Sequence, residues 1–238
     1  HFTMDDNLSL SEEIKARYRS MYTGVFFKRY ILGLWAMAEG IIYDMFDADK
    51  HVQKITDFFR RLKDGERYVS CDYGTQNATV FLLWNKGNNG KWYCVREYYY
   101  SGRAKGKQKT DGEYADDFEK WLDGVPIRAV IVDPAAASFI AELRKRGYRV
   151  LKADNDVEDG IREVASMLNM GLLVFCDTCI NTIMEFGSYI WDEKAAQQGE
   201  DRPVKENDHA MDAVRYFVYT ILSKRTGRVK NKAKYGFD

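Results

Sequence analysis

Short apolar segments alternate with amphipathic segments from Tyr68 onward, and this alternation constrains the fold more than any other feature of the chain. The first three apolar segments follow one another with no helical pattern between them. We predict strands over residues 68–72, 78–84 and 92–100. The Asn-Gly pair within residues 85–90 (NKGNNG) favours a hairpin between the second and third strands. Three successive antiparallel strands are therefore expected.

After the third strand, segments with helical spacing alternate with short strands of the buried type. The predicted helices cover residues 114–122, 138–146, 157–170 and 180–191, and a polar loop over 193–207 leads into a last helix over 208–224. The predicted strands between the helices cover residues 127–132, 148–152 and 172–175. Antiparallel strands followed by right-handed βαβ units give an α/β fold with a mixed sheet and helices on both faces, a ribonuclease H-like layout.

Residues 1–60 differ in pattern from the rest of the chain. Residues 27–46 are apolar and aromatic without a clear period, whereas residues 47–65 predict a helix because their apolar side chains follow helical spacing. We expect three parts: a segment over 1–60, an α/β domain over 61–224 and a basic tail over 225–238. Because the chain begins with His1 rather than Met, we expect it to be a piece of a longer protein.

Asp72 and Asp133 each follow directly after an apolar segment that we predict to be a strand. Ligands in open α/β sheets gather outside the carboxyl ends of neighbouring strands, so the two side chains are expected at one edge. Paired carboxylates need a neutralising cation, and hard oxygen ligands favour Mg²⁺ or Mn²⁺. Taken singly, either residue could be only a turn former.

The start of the last predicted helix supplies a third acidic element. Asp208 and Asp212 are four residues apart, and His209 and Asp212 are three apart, so each pair shares a helix face. Spacing does not decide whether Asp208 or His209 joins Asp212, and Asn207 or Asp208 could be a plain N-cap. A third carboxylate could complete a pair of ions about 4 Å apart, which is suited to phosphodiester hydrolysis.

Three motifs together resemble those of the C-terminal nuclease domain of large terminase subunits, the tailed-phage motors that package and cut concatemeric DNA. These motifs are YVSCDYGT (68–75), VIVDPAA (130–136) and NDHAMDAVRY (207–216). An earlier stretch, YILGLWAMAEGIIY (30–43), is similar to the connection between the packaging ATPase and that nuclease. The resemblance implies that residues 1–60 are a linker from an ATPase domain that this sequence lacks, and that residues 61–224 are the nuclease domain.

By the same resemblance, Asp72, Asp133 and Asp212 are catalytic metal ligands, His209 is an added metal-site residue and Asp208 is an accessory ligand. The implied activity is endonucleolytic cutting of double-stranded DNA by two Mg²⁺ or Mn²⁺ ions, with little sequence preference. The implied partners are the portal protein and the small terminase subunit, in the host cytoplasm. No Gly-x-x-x-x-Gly-Lys-[Ser/Thr] loop is present, so ATP hydrolysis is not expected of this chain. We expect the isolated domain to be a monomer.

Charge and hydropathy exclude some classes of protein. The 36 Lys and Arg residues balance 36 Asp and Glu residues, which excludes a strongly basic DNA-coating protein but allows local basic patches. One patch, within residues 101–109, consists of Arg103, Lys105, Lys107 and Lys109. It is a candidate contact for DNA phosphates, with a solvated loop as the alternative. The basic tail could bind DNA or a protein, or have no role. No apolar run is long enough to span a membrane.

The cysteines and tyrosines offer no separate function. Four cysteines do not make a disulfide scaffold, and Cys176 and Cys179 form a single CxxC pair without the further ligands that zinc requires. A redox motif would need a thioredoxin-like context, which is absent. We expect Cys71 to pack in the core, because successive side chains of a strand point to opposite faces and Cys71 is next to Asp72. We expect the three tyrosines at 98–100 to cover the sheet rather than to stack on bases.

Other functions share part of this pattern. The turn DYGT (72–75) also resembles the phosphate-binding turn of actin-like ATPases and sugar kinases, which indicates a phosphotransferase. That reading requires a second glycine-rich turn, whereas Asp133 is followed by Pro134. Another ribonuclease H-like nuclease, such as a junction resolvase or transposase, is a third possibility. A non-catalytic module that docks on DNA or portal protein is the last.

Overall fold

One mixed sheet organises the chain, of which the computed structural model describes residues 3–54, 56, 62–75 and 77–223. Its seven strands are β1 (Val52–Gln53), β2 (Leu62–Asp72), β3 (Ala78–Gly87), β4 (Trp92–Ser101), β5 (Ala129–Val132), β6 (Val150–Lys152) and β7 (Leu173–Cys176). They lie in the order β1-β7-β4-β3-β2-β5-β6. Strands β2, β3 and β4 pair antiparallel, and the remaining neighbours pair parallel. The predicted α/β mixed sheet is confirmed.

Helices cover both faces of this sheet. They are α1 (Glu12–Met21), α2 (Gly24–Tyr30), α3 (Ala48–His51), α4 (Gly102–Lys105), α5 (Asp111–Leu122), α6 (Ala137–Lys145), α7 (Val157–Asn169), α8 (Ile180–Ser188), α9 (Glu193–Gln197) and α10 (His209–Phe217). A 3-10 turn (Met4–Asp6) precedes them, and a π-helical turn (Val218–Leu222) follows α10. No helix within the described residues is both long and apolar enough to cross a membrane.

The predicted elements after residue 68 are present, and the main differences lie elsewhere. The predicted helix over 47–65 is correct for its first turn, α3, but β1 follows directly and Leu62 already belongs to β2, so its second half is wrong. Val52 pairs with Phe175 of β7 instead, since backbone hydrogen bonds at the sheet edge outweigh a helical pattern. The middle of that helix lies outside the described residues, as does the predicted tail over 225–238. The predicted polar loop contains α9, whose first turn is capped by Asp192.

The aromatic segment before β1 packs on the same core. The ring of Phe46 stacks on Phe186 of α8 with centroids 4.0 Å apart and planes 3° apart. Tyr43 is buried and contacts Phe186 edge-on. Apolar side chains before β1 therefore contribute to the core, which accounts for the apolar and aromatic composition of residues 27–46.

The two faces of the sheet carry separate apolar cores, because side chains alternate along each strand. On β3, Val80, Leu82 and Trp84 face the core under α7, α8 and α10, whereas Phe81 and Leu83 face the core under α5 and α6. Cys71 and Val132 belong to the second of these cores, which confirms the core position predicted for Cys71. The residues that follow them point to the opposite face, toward α10.

Helix α10 is fixed on the sheet by stacked rings. Phe217 lies against Trp84 with centroids 4.4 Å apart and planes 9° apart. Trp84 is itself held in place because its Nε1 donates to Ser70 Oγ at 2.9 Å, within the sheet. Rigid stacking of this kind, with the indole N–H satisfied, sets the height of α10 above the strands. The first turn of α10 therefore lies near the strand ends.

A glycine permits the close approach of α7 to α10. A Cβ atom at Gly160 would lie 2.5 Å from Cγ and 2.7 Å from Cδ of Arg215, distances that real Cβ contacts do not reach. Arg215 cannot move aside freely, because Nη1 donates to the carbonyls of Asn155 at 2.9 Å and Asp156 at 3.1 Å. Gly160 thus leaves space for the aliphatic part of a buried arginine.

We expect Gly160→Ala to lower the free energy of unfolding by about 1–3 kcal/mol, because the methyl group overpacks the α7–α10 contact. Gly187→Ala is the matched control, since Gly187 lies in α8 with nothing within 4 Å of a built Cβ. Alanine is the better helix former, so the control is expected to be unchanged or slightly more stable. Urea denaturation followed by circular dichroism measures both. Equal stability of the two variants would contradict the packing argument.

Candidate active site

A cleft of about 430 Å³ opens at the carboxyl ends of β2 and β5. Among its lining residues are Asp72, Asp133, Asp208, His209 and Asp212. All five candidate site residues from the sequence therefore face one cavity. The sheet register explains the positions of Asp72 and Asp133. Cys71 pairs with Val132, so the residues that follow them, Asp72 and Asp133, lie at the same level of the sheet edge.

Asp72 and His209 contact each other across the cleft. Nδ1 of His209 donates to Oδ2 of Asp72 at 3.0 Å. Burial raises the pKa of Asp72 to about 6, with the negative charges of Asp212 and Asp208 adding to the effect and His209 opposing it. Burial lowers the pKa of His209, but the hydrogen bond and charge of Asp72 outweigh this and raise it. His209 thus faces Asp72 rather than Asp212.

Asp133 is oriented from two sides. Oδ1 accepts from the backbone N–H of Ala135 at 2.8 Å, and Oδ2 accepts from the hydroxyl of Tyr216 at 2.6 Å. Burial, together with the charges of Asp212 and Asp72, raises the pKa of Tyr216, so the hydroxyl stays a donor. Sequence analysis missed Tyr216, although its position four residues after Asp212 puts both on one helix face.

Asp212 and Asp208 are balanced by cations of the chain itself. Oδ1 of Asp212 accepts from Nη2 of Arg215 at 2.9 Å. Nζ of Lys205 lies 3.4 Å from Oδ2 of Asp212 and 3.1 Å from Oδ2 of Asp208. Burial lowers the pKa of Lys205, and the two carboxylates outweigh this and raise it. Neither Lys205 nor Arg215 was identified from the sequence.

Asp208 occupies the N-cap position of α10 without capping it through its side chain. The cap comes from another helix, because Oε2 of Glu185 accepts from the backbone N–H groups of Ala210 at 2.7 Å and Met211 at 3.2 Å. Burial raises the pKa of Glu185 to about 7, against the hydrogen bonds that it accepts. The helix terminus is thereby satisfied from outside, and the carboxylate of Asp208 faces the cleft.

Strand β4 supports this cap. The hydroxyl of Tyr99 donates to Oε1 of Glu185 at 2.9 Å. Glu97, two residues earlier, accepts from the backbone N–H groups of Asn181 at 3.1 Å and Thr182 at 2.6 Å, at the start of α8. Tyr98 stacks on Phe81. Both rings pack against the sheet cores, in line with the prediction that they cover the sheet, and Tyr99 also lines the cleft.

The four basic residues predicted to contact DNA have different environments. Arg103, in the single turn α4, lines the cleft. Lys105 is exposed, and Nζ of Lys107 lies 3.5 Å from Oε1 of Glu113. Lys109 forms an ion pair with Asp117, and its Nζ lies 4.0 Å from the ring centroid of Tyr100. Lys109 thus anchors the loop, and Arg103 is the member of the set that is placed to meet a ligand in the cleft.

The donor set of the cleft has the chemistry of a divalent-cation site. Hard carboxylate oxygens with an imidazole suit Mg²⁺ or Mn²⁺. Oδ2 of Asp208 is buried and accepts no hydrogen bond from the described residues, which fits an atom reserved for a cation. Over the same residues, no three acidic, histidine or cysteine side chains converge as a ready-made metal cluster. Lys205, His209 and Tyr216 contact the carboxylates instead.

The CxxC pair lies away from this cleft. Cys176 and Cys179 are buried as free thiols, and Sγ of Cys179 lies 3.8 Å from Sγ of Cys94. Burial raises the pKa of Cys176, which keeps the thiol protonated. These cysteines therefore act as small core residues.

Comparison with known proteins identifies relatives of this chain. The family described as "Terminase RNaseH-like domain" matches residues 72–220. The large terminase subunit of Escherichia phage T5 is 26% identical over 197 residues, covering 79% of this chain and 43% of that protein. The large terminase of thermophilic bacteriophage D6E, solved in complex with ADP, is 57% identical with a TM-score of 0.87, covering 93% of this chain and 55% of that one.

A more distant solved structure has the same fold. The large terminase nuclease of thermophilic phage G20c, solved with bound magnesium, is 13% identical with a TM-score of 0.56. The match covers 79% of this chain and 99% of that one, so at this identity it shows a shared fold. The chain spans about half the length of the T5 and D6E relatives.

We expect Glu185→Ala to lower the free energy of unfolding by about 1–3 kcal/mol, because two backbone N–H groups of α10 lose their acceptor inside the protein. Glu185→Gln is the matched control, since the amide keeps an accepting oxygen of the same reach. Thermal denaturation of both variants measures the effect. An unchanged melting temperature for Glu185→Ala would show that α10 does not need this cap.

Proposed function

Because the chain belongs to the terminase RNaseH-like domain family, we propose that it is a metal-dependent DNA endonuclease that cuts concatemeric viral DNA during genome packaging. The observation that carries the proposal is the cleft in which carboxylates from two adjacent strand ends and the first turn of α10 meet. Such a concentration of negative charge suits cation-assisted attack on a phosphodiester. Little base preference is expected, since phosphate contacts carry no sequence information directly.

Asp72, Asp133 and Asp212 are the proposed catalytic ligands, with His209 as an added ligand and Asp208 as an accessory one. Bound there, two Mg²⁺ or Mn²⁺ ions would activate a water molecule and stabilise the leaving 3′ oxygen. The magnesium bound by the G20c nuclease supports Mg²⁺ as the first ion to test.

The residues around these ligands hold them in place. Tyr216 and the backbone N–H of Ala135 orient the two oxygens of Asp133, and Arg215 orients one oxygen of Asp212, so a ligand would use the remaining lone pairs of these carboxylates. His209 contacts Asp72 and so opposes the burial effect that favours the protonated acid. Arg103 lies at the cleft, where a guanidinium can neutralise a DNA phosphate.

The proposals about substrate, partners and location rest on the family to which the chain belongs. We propose double-stranded DNA as the substrate, the portal protein and small terminase subunit as partners, and the host cytoplasm as the place of action. We also propose that residues 1–60 link the nuclease domain (61–224) to an ATPase domain, and that the isolated domain is a monomer. The ADP bound by the D6E relative belongs to that longer protein.

Nicking of supercoiled plasmid tests the proposal directly. We expect cutting with Mg²⁺ or Mn²⁺, none with EDTA, and a rate lower by about 100-fold or more for Asp133→Asn, because the amide replaces a ligand oxygen without its charge. Asp123→Asn is the matched control: it removes the same charge from an exposed left-handed turn position, where Asn is well tolerated.

Each outcome of the plasmid assay supports a different conclusion. Loss of cutting in Asp133→Asn but not in Asp123→Asn supports Asp133 as a ligand. Equal activity of the two variants would remove Asp133 from the site. Intact plasmid with every metal would contradict the nuclease and favour a non-catalytic docking module, while nucleotide binding in a thermal-shift assay would favour a phosphotransferase.

A further inference from the structure

The ammonium group of Lys205 lies between two buried carboxylates although its own side chain is largely in solvent. The side chains of Asp208 and Asp212 are 6% and 11% exposed, whereas that of Lys205 is 62% exposed. Nζ reaches Oδ2 of both carboxylates, at 3.1 Å and 3.4 Å. A single positive charge from the loop before α10 thus balances two acids that would otherwise repel each other.

Asp212 is contacted by two cations that differ in how firmly they are held. Arg215 is 2% exposed, donates to two backbone carbonyls as well as to Asp212, and packs against Gly160. Within the described part of the chain, the Lys205 ammonium contacts only the two carboxylates. Arg215 is therefore part of the framework, whereas Lys205 is free to leave when another cation takes its place.

The contact between Lys205 and Asp208 is ionic rather than directional. Oδ2 of Asp208 has no aligned hydrogen-bond donor within the described residues, although Nζ is only 3.1 Å away. A lysine ammonium acts as a compact point charge on a flexible stem. A divalent cation satisfies the same oxygen with twice the charge, so the two compete for one position.

We propose that Lys205 is the resident counter-ion of Asp208 and Asp212, and that a divalent cation must displace it to bind in the cleft. The inference rests on the proposed metal-dependent function and adds a residue that controls the affinity of the site for its metal. Competition of this kind weakens apparent metal binding by about two- to fivefold, the range expected for a partly exposed ion pair. Removing the charge of Lys205 should therefore tighten metal binding.

Isothermal titration of the chain with MgCl₂ and with MnCl₂, at constant ionic strength, tests this without any measure of cleavage. Lys205→Gln removes the charge, and Lys205→Arg keeps it. Lys194→Gln is the charge-matched control, because Lys194 is an exposed residue of α9 that does not line the cleft. We expect Kd to fall by about two- to fivefold in Lys205→Gln and to stay near the wild-type value in the other two.

A Kd for Lys205→Gln equal to that of Lys194→Gln, or higher than that of the wild type, would overturn the proposed role of Lys205. The proposed nuclease activity would not be affected by that result. A Kd for Lys205→Arg as low as that for Lys205→Gln would also overturn it, since the charge would then be irrelevant. Absence of binding in all four proteins would overturn the metal site itself, and this inference with it.

Discussion

Repulsion among four carboxylates in one cleft is the constraint on which the rest of the structure depends. Each acid is brought there by a different feature: a strand end for Asp72 and for Asp133, and the first turn of α10 for Asp208 and Asp212. Negative charges at such short range are tolerated only with compensation. The chain supplies it through His209, Tyr216, Arg215 and Lys205, which approach from α10 and the loop before it.

Helix capping in trans makes this arrangement possible. Glu97 of β4 satisfies the start of α8, and Glu185 of α8 satisfies the start of α10. Strand β4 thus holds the start of α8, and α8 in turn holds the start of α10. The acidic residue at the N-cap of α10 keeps its carboxylate for the cleft. A local cap by Asp208 would have used up that oxygen.

Sequence analysis predicted the sheet and the acidic positions because both depend on local pattern. Apolar runs ending in Asp72 and Asp133, and the i, i+4 spacing of Asp208 and Asp212, are visible without coordinates. Lys205 and Glu185 were missed because an isolated charged residue has no period, and the contact of Tyr99 with Glu185 was missed because it joins distant parts of the chain. Their roles arise only when α8, α10 and β4 meet. The helix predicted over 47–65 failed for a related reason, since pairing of Val52 with β7 is decided by tertiary contact.

The register between β2 and β5 has a consequence for how such a chain can change in length. Tyr68 to Cys71 pair one-to-one with Ala129 to Val132, and Asp72 and Asp133 follow at once. Inserting or deleting a single residue within either paired stretch would exchange the two faces and turn one acid toward the apolar core. Such a change is more damaging than many substitutions, whereas the hairpin after β3 can be lengthened freely. We therefore expect insertions and deletions to be tolerated in the loops and not within these paired stretches.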